Sequence, residues 1–94
     1  MRVISNKTLL AFSAMHAEAA KPLQLWRKAV EAKSYPNFAA LKAVFGSIDK
    51  AGGFHVFDIG GNKFRLIASI HFNRQMLFVR HVFTHRQYDR WNPP

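Results

Sequence analysis

The sequence predicts an α+β protein in which an N-terminal strand and helices pack on one face of a small antiparallel β-sheet. Three observations predict it. The chain has 94 residues, 49% of them hydrophobic, enough for one core and a single domain, 1–94. Before about residue 50 the apolar residues recur at helical spacing, and after it they alternate with period two. Helices gathered in one half and strands in the other imply helices laid on an antiparallel sheet.

Arg2-Val3-Ile4-Ser5 reads as a short strand, after which Ser5 or Asn6 can cap a helix that buries Leu9, Leu10, Phe12 and Met15. Lys21-Pro22 opens a second helix, because proline is at home in a first turn, and Leu23, Trp26, Ala29 and Val30 form its apolar face. Ser34-Tyr35-Pro36-Asn37 breaks that helix. Asn37 then caps a short third one, with Phe38, Leu41, Val44 and Phe45 on one face and Gly46 placed to end it. Ala51-Gly52-Gly53 is a hinge or turn.

Phe54 to Ile59 is the next strand, Gly60-Gly61-Asn62 supplies the positive-φ residues of a tight hairpin, and Lys63 to Phe72 is the returning strand. Asn73-Arg74 turns again, and Met76 to Phe83 is the last strand. Thr84 to Trp91 follows as a turn, short helix or irregular segment.

The returning strand separates Phe64, Leu66, Ala68, Ile70 and Phe72 from Lys63, Arg65, Ile67, Ser69 and His71. One face belongs to the core. Alternation alone leaves open whether the other is a platform for RNA or an ordinary solvated surface. In the last strand Leu77, Val79, His81, Phe83 and His85 fall on one side and Phe78, Arg80 and Val82 on the other, unless a bulge reassigns them.

Fourteen Lys plus Arg against five Asp plus Glu give a formal charge of +9. Such a field favours polyanions: nucleic acid or ribosome first, an anionic membrane surface or acidic protein second. The chain has no cysteine, which excludes disulfides, thiol nucleophiles and Cys-based zinc sites and suits a reducing cytoplasm. Arg2, Lys7, the Leu9–Met15 stretch and Ala17-Glu18-Ala19 imitate a secretory signal. That stretch is short, holds Ser13 and follows a segment that reads well as a strand, so a cytoplasmic protein is expected. No run approaches the roughly 18 apolar residues of a membrane-spanning helix.

Lys63, Arg65, Arg74, Arg80, Arg86 and Arg90 lie between residues 63 and 90 with one acid, Asp89, and with His71, His81, His85 and Tyr88. Metal-free RNA cleavage needs such groups: a base for the 2′-hydroxyl, charge for the phosphorane and an acid for the 5′-oxygen. Imidazole serves either proton step, arginine grips phosphate in two places, and tyrosine stacks or donates a proton. The composition permits this chemistry without specifying it. His81 and His85 are four apart, but they fall near a strand's end with no third ligand at a recognised spacing. No metal and no cofactor are expected. Gly60-Gly61-Asn62-Lys63 lacks the phosphate-loop pattern, and His16 and His55 are isolated. Trp26 and Trp91 read as packing residues, although Trp91 could also stack on RNA.

Leu41-Lys42-Ala43-Val44-Phe45-Gly46-Ser47-Ile48-Asp49, the stretch Phe54 to Ala68 with its Gly-Asn-Lys-Phe-Arg-Leu-Ile-Ala hairpin, and the stretch Val79 to Asp89 with its Thr-His-x-x-Tyr-Asp ending follow in order along the chain. Together they resemble the HigB-type mRNA interferase toxins of the RelE superfamily. The resemblance implies a RelE-like α+β fold and a type II toxin–antitoxin toxin that enters the ribosomal A site and cleaves translated mRNA without metal. It implies a cognate HigA-like helix-turn-helix antitoxin, with operator DNA reached only through the antitoxin complex. By the same resemblance Arg65 would hold the scissile phosphate, His85 and Tyr88 would supply acid–base and orienting functions, and Lys63, Arg80, Arg86 and Asn62 would contact RNA. Asp89 would orient His85 or pair with Arg86 or Arg90. Related sequences often carry Glu where Gln87 stands, and an amide cannot accept a proton at neutral pH. General-base duty then rests on His85 or on a positioned lysine such as Lys63.

Two functions from different classes follow: a ribosome-dependent endoribonuclease that uses the RNA's own 2′-hydroxyl, or a non-catalytic module that occupies RNA or ribosome with the same basic face. A gyrase-poisoning toxin of the same superfamily is a third, and the His85 and Tyr88 ending argues against it.

Overall fold

A computed structural model describes residues 1–92. In chain order the elements are β1 (Arg2–Ile4), α1 (Asn6–Met15), a 3-10 turn (Ala17–Ala19), α2 (Ala20–Glu31), α3 (Phe38–Val44), β2 (Asp49–Ala51), β3 (Phe54–Ile59), β4 (Phe64–His71), a second 3-10 turn (Phe72–Arg74), β5 (Met76–Thr84) and α4 (His85–Asp89). The strands form one sheet in the order β1-β5-β4-β3-β2. The three pairings among β2, β3, β4 and β5 are antiparallel, and β1 adds a parallel edge to β5. Among the described residues no helix is long and apolar enough to cross a membrane.

The core lies between the helices and one face of the sheet. Leu9 of α1, Leu23, Trp26 and Val30 of α2, Tyr35, Leu41 of α3 and Ile48 pack with Phe57, Ile59, Phe64, Leu66, Ala68 and Leu77 of the strands. Helix α2 obeys its predicted face, and its Trp26 ring meets Phe57 edge-on with centroids 5.2 Å apart. Helix α1 does not. Leu9 is fully buried, but Leu10 is 55% and Met15 81% exposed, because this helix packs beside α2 and against the sheet through Leu9 and Phe12 and offers the core a narrower stripe than its composition suggests. Val44, expected on the buried face of α3, is also exposed. Ser5 occupies the N-cap position of α1 without a side-chain cap bond, and the Asn6 side-chain oxygen accepts from Gln24 on α2 instead. Asn37 caps α3 as predicted, its side chain accepting from the Ala40 N–H.

The expected turn at Ala51-Gly52-Gly53 is itself a hairpin: Asp49–Ala51 pairs with Phe54–Val56 and leaves only the two glycines to turn. Gly60, Gly61 and Asn62 all have positive φ, the conformation their sequence allows most readily. A Cβ at Gly60 would only touch Pro22 of α2 and Phe64 at ordinary contact distance, so it is the positive φ that favours glycine there.

Strand β5 carries a bulge. Ile67 pairs with His81 and Ala68 with Val79, so Arg80 is the extra residue. The shift puts Leu77, Val79 and Val82 on the core side, and it puts both Arg80 and His81 on the side of the sheet that the helices leave open. Simple alternation would have separated them.

Candidate nucleic-acid interface and active site

The open face is built in cross-strand rows. Asp58, Arg65 and Phe83 are paired across β3, β4 and β5, and Val56, Ile67 and His81 form the next row. Val56 and Ile67 are buried although they belong to no part of the helix-side core. The C-terminal segment explains it. After β5 the chain turns into α4 and returns over the sheet, and the Trp91 ring settles among Phe54, His81, Phe83 and Tyr88 with centroids 5.7 to 6.1 Å away.

Helix α4 starts with a capping box. The Thr84 hydroxyl accepts from the Gln87 N–H, and the Gln87 side-chain oxygen accepts from the Thr84 N–H at 2.8 Å. Gln87 therefore holds the helix start, and its Thr-x-x-Gln spacing is the sequence signal for that duty. The His85 N–H donates to the Lys63 carbonyl, which fastens the start of α4 to the β3–β4 hairpin.

That arrangement carries Tyr88 over Arg65, with the guanidinium carbon 5.6 Å from the ring centroid. Arg65 is the one buried charged residue among those described, and all three of its nitrogens are engaged. Nε stands 3.1 Å from Asp58 Oδ1. Nη1 donates to the carbonyls of Asn62 and Phe64, and Nη2 to the Asn62 side-chain oxygen. The sequence reading missed Asp58, although the hairpin pairing of Ile59 with Phe64 already places Asp58 opposite Arg65.

His85 is exposed at the first position of α4, its Nε2 3.6 Å from Asp89 Oδ2 one turn on. Asn62 is spent on Arg65. Lys63 turns toward the helical layer, where its Nζ lies 3.7 Å from Glu18 Oε2 in an exposed pair. Arg86 is exposed and takes no ion-pair partner among the described residues. Arg80 stands farther along the open face, its Nε donating to the Ser69 hydroxyl at 3.0 Å. Thus Arg65, Asn62, Tyr88 and His85 gather where the hairpin meets α4, whereas Lys63 and Arg80 sit apart from them. Among the described residues no three His, Asp or Glu side chains gather as metal ligands.

Comparison with known proteins places the chain among its relatives. Residues 19–91 match the family described as HigB_toxin, the RelE-like toxic component of a toxin-antitoxin system. The mRNA interferase toxin HigB of Escherichia coli strain K12 is 42% identical over 53 residues, which cover 53% of this chain and 51% of that protein. A Shigella flexneri mRNA interferase HigB matches to the same extent. At that identity the chain spans about half the length of the curated relatives it matches. The mRNA interferase HigB of Escherichia coli O6:H1 strain CFT073 is 25% identical over 93 residues, covering 96% of this chain and 90% of that protein.

Proposed function

The chain belongs to the HigB toxin family, the RelE-like toxic components of toxin–antitoxin systems, and from that premise we propose that it is an mRNA interferase. It would cleave translated mRNA in the ribosomal A site, without metal, through attack of the RNA 2′-hydroxyl on the adjacent phosphate. A cognate HigA-like antitoxin would hold it inactive, and operator DNA would be reached only through their complex.

The observation that carries this reading is the meeting of Arg65, Tyr88 and His85 at the junction of hairpin and α4, on a basic sheet face that no helix of the core covers. His85 is exposed and free to approach a ribose. It would take the 2′-hydroxyl proton, with Asp89 holding the ring. Lys63, drawn toward Glu18, is the poorer base. Arg65 would act as a fixed charge beneath the phosphorane, since electrostatic stabilisation is strongest from a group that need not reorganise. Tyr88, poised on that guanidinium, would orient the phosphate or donate to the leaving 5′-oxygen. The products would be a 2′,3′-cyclic phosphate or 3′-phosphate and a 5′-hydroxyl.

The engagement of every Arg65 nitrogen also suits a second reading, in which the same face occupies RNA without cutting it. Primer extension on an mRNA, with and without translating ribosomes, separates the two. Codon-registered cuts on ribosomes, lost in His85→Ala and reduced in Tyr88→Phe, support the enzyme. Bound but intact RNA under every condition supports the binding module.

A further inference from the structure

Two arginines face the open side of the sheet, and they are held in opposite ways. Arg65 has all three nitrogens engaged and is 9% exposed. Arg80 spends only Nε, on Ser69, and its two terminal nitrogens take no partner among the described residues. Its guanidinium lies over the Phe78 ring, 5.2 Å from the centroid, and the exposed His71 ring meets Phe78 edge-on at 5.3 Å. The fork is thus backed by an aromatic ring, fixed at one nitrogen and open to solvent at the others.

We propose that Arg80, Phe78, His71 and Ser69 form a nucleotide subsite for one unpaired residue of the RNA strand, away from the hairpin–α4 junction. The free edge of the guanidinium takes a phosphate, for which a two-pronged donor is suited. Its outer face, supported from below by Phe78, takes a base, as guanidinium planes do in single-strand recognition. Strand alternation builds the site: Phe78 and Arg80 stand two apart on β5, Ser69 pairs with Phe78 and His71 stands two residues beyond Ser69 on β4, so all four share the open face, to which the bulge adds His81. From Thr84 to Arg80 is about 13 Å at roughly 3.3 Å per residue, so one short stretch of single strand can reach both places.

This subsite rests on the interferase reading, and its test is chosen to separate the two. The probe is a fluorescein-labelled single-stranded RNA decamer with 2′-O-methyl groups, which binds but cannot be cut, followed by anisotropy at several salt concentrations. Arg80→Ala should weaken binding about tenfold and lower the salt slope by about one. Arg80→Lys keeps the charge and the slope but loses the fork and the stack, and should bind at least threefold more weakly than wild type. Ser69→Ala, which frees Nε, should lie between wild type and Arg80→Lys. Full affinity in Arg80→Lys, or equal affinity for the same sequence as a duplex, overturns the subsite. A wild-type protein that ignores the decamer yet cuts mRNA on ribosomes overturns the subsite and leaves the interferase reading standing; one that does neither overturns both.

Discussion

Asp58 and Arg65 face each other across the β3–β4 hairpin, carboxylate Oδ1 to guanidinium Nε at 3.1 Å, with the arginine side chain 10% and the aspartate 29% exposed. The pair fixes the floor on which Tyr88 rests. Removing one partner from such a pair leaves the other charged and poorly solvated. Asp58→Asn should therefore destabilise the fold by roughly 2 to 4 kcal/mol, below the fully buried range because Asp58 keeps some water. Urea denaturation measures it, and a change under about 0.5 kcal/mol would mean that Arg65 is held by its carbonyl partners alone.

His55 gives the fold a pH dependence with a defined sign. Burial first, and the Lys50 ammonium second, lower its pKa from the ordinary histidine value. Its Nδ1 is buried without a hydrogen-bond partner, and its ring lies between Phe38 and Phe72. The native state therefore prefers the neutral ring. This contribution is complete above the unfolded pKa of about 6.5 and is lost as the pH falls toward the lower folded value, at up to about 1.4 kcal/mol per pH unit. Unfolding midpoints at pH 7.5, 6.0 and 5.0 should drop on the acid side, and His55→Leu should flatten that limb.

Gln87 is assigned to capping, so chemistry at this position is not needed. Gln87→Ala should cost about 0.5 to 1 kcal/mol of stability. Gln87→Glu keeps the capping box and adds a negative charge in the first turn, where the helix dipole favours it. It should be neutral or slightly stabilising and leave RNA cleavage unchanged. A marked gain in cleavage rate would show that a carboxylate at this place takes part in proton transfer.

Trp91 shields Val56 and Ile67 on the face the helices do not cover. Trp91→Ala should cost roughly 2 kcal/mol, less than a fully buried tryptophan because the residue is only partly buried. It should also loosen α4, so that amide exchange at Tyr88 speeds up together with the loss of stability. Unchanged exchange would place the anchoring of α4 on the His85–Lys63 backbone bond alone.

Asp89 and His85 are both more than half exposed, and such pairs contribute little to stability, about 0.5 kcal/mol or less. Asp89→Ala should leave the unfolding midpoint nearly unmoved. If the carboxylate orients the imidazole, cleavage on ribosomes should fall about tenfold in the same variant, and equal cleavage would return Asp89 to a surface role.

Much of this protein was determined by local sequence. The change from helical to alternating spacing, the Asn37 cap, the Gly60-Gly61-Asn62 hairpin and the pairing of Asp58 with Arg65 all depend on backbone geometry within a few residues. The Thr84 and Gln87 capping box is equally local. What alternation could not assign was decided by tertiary structure. The bulge at Arg80 arises from how β5 registers against β4, and a one-residue slip exchanges the faces of everything beyond it. The exposure of Leu10 and Met15 depends on how α1 lies against α2, and the burial of Val56 and Ile67 on a tryptophan that returns from the end of the chain. Lys63 and Arg65 are two residues apart and of one charge, yet one reaches Glu18 and the other is fastened beneath Tyr88. A side chain's partner is set by which element passes over it, and that is a property of the assembled layers.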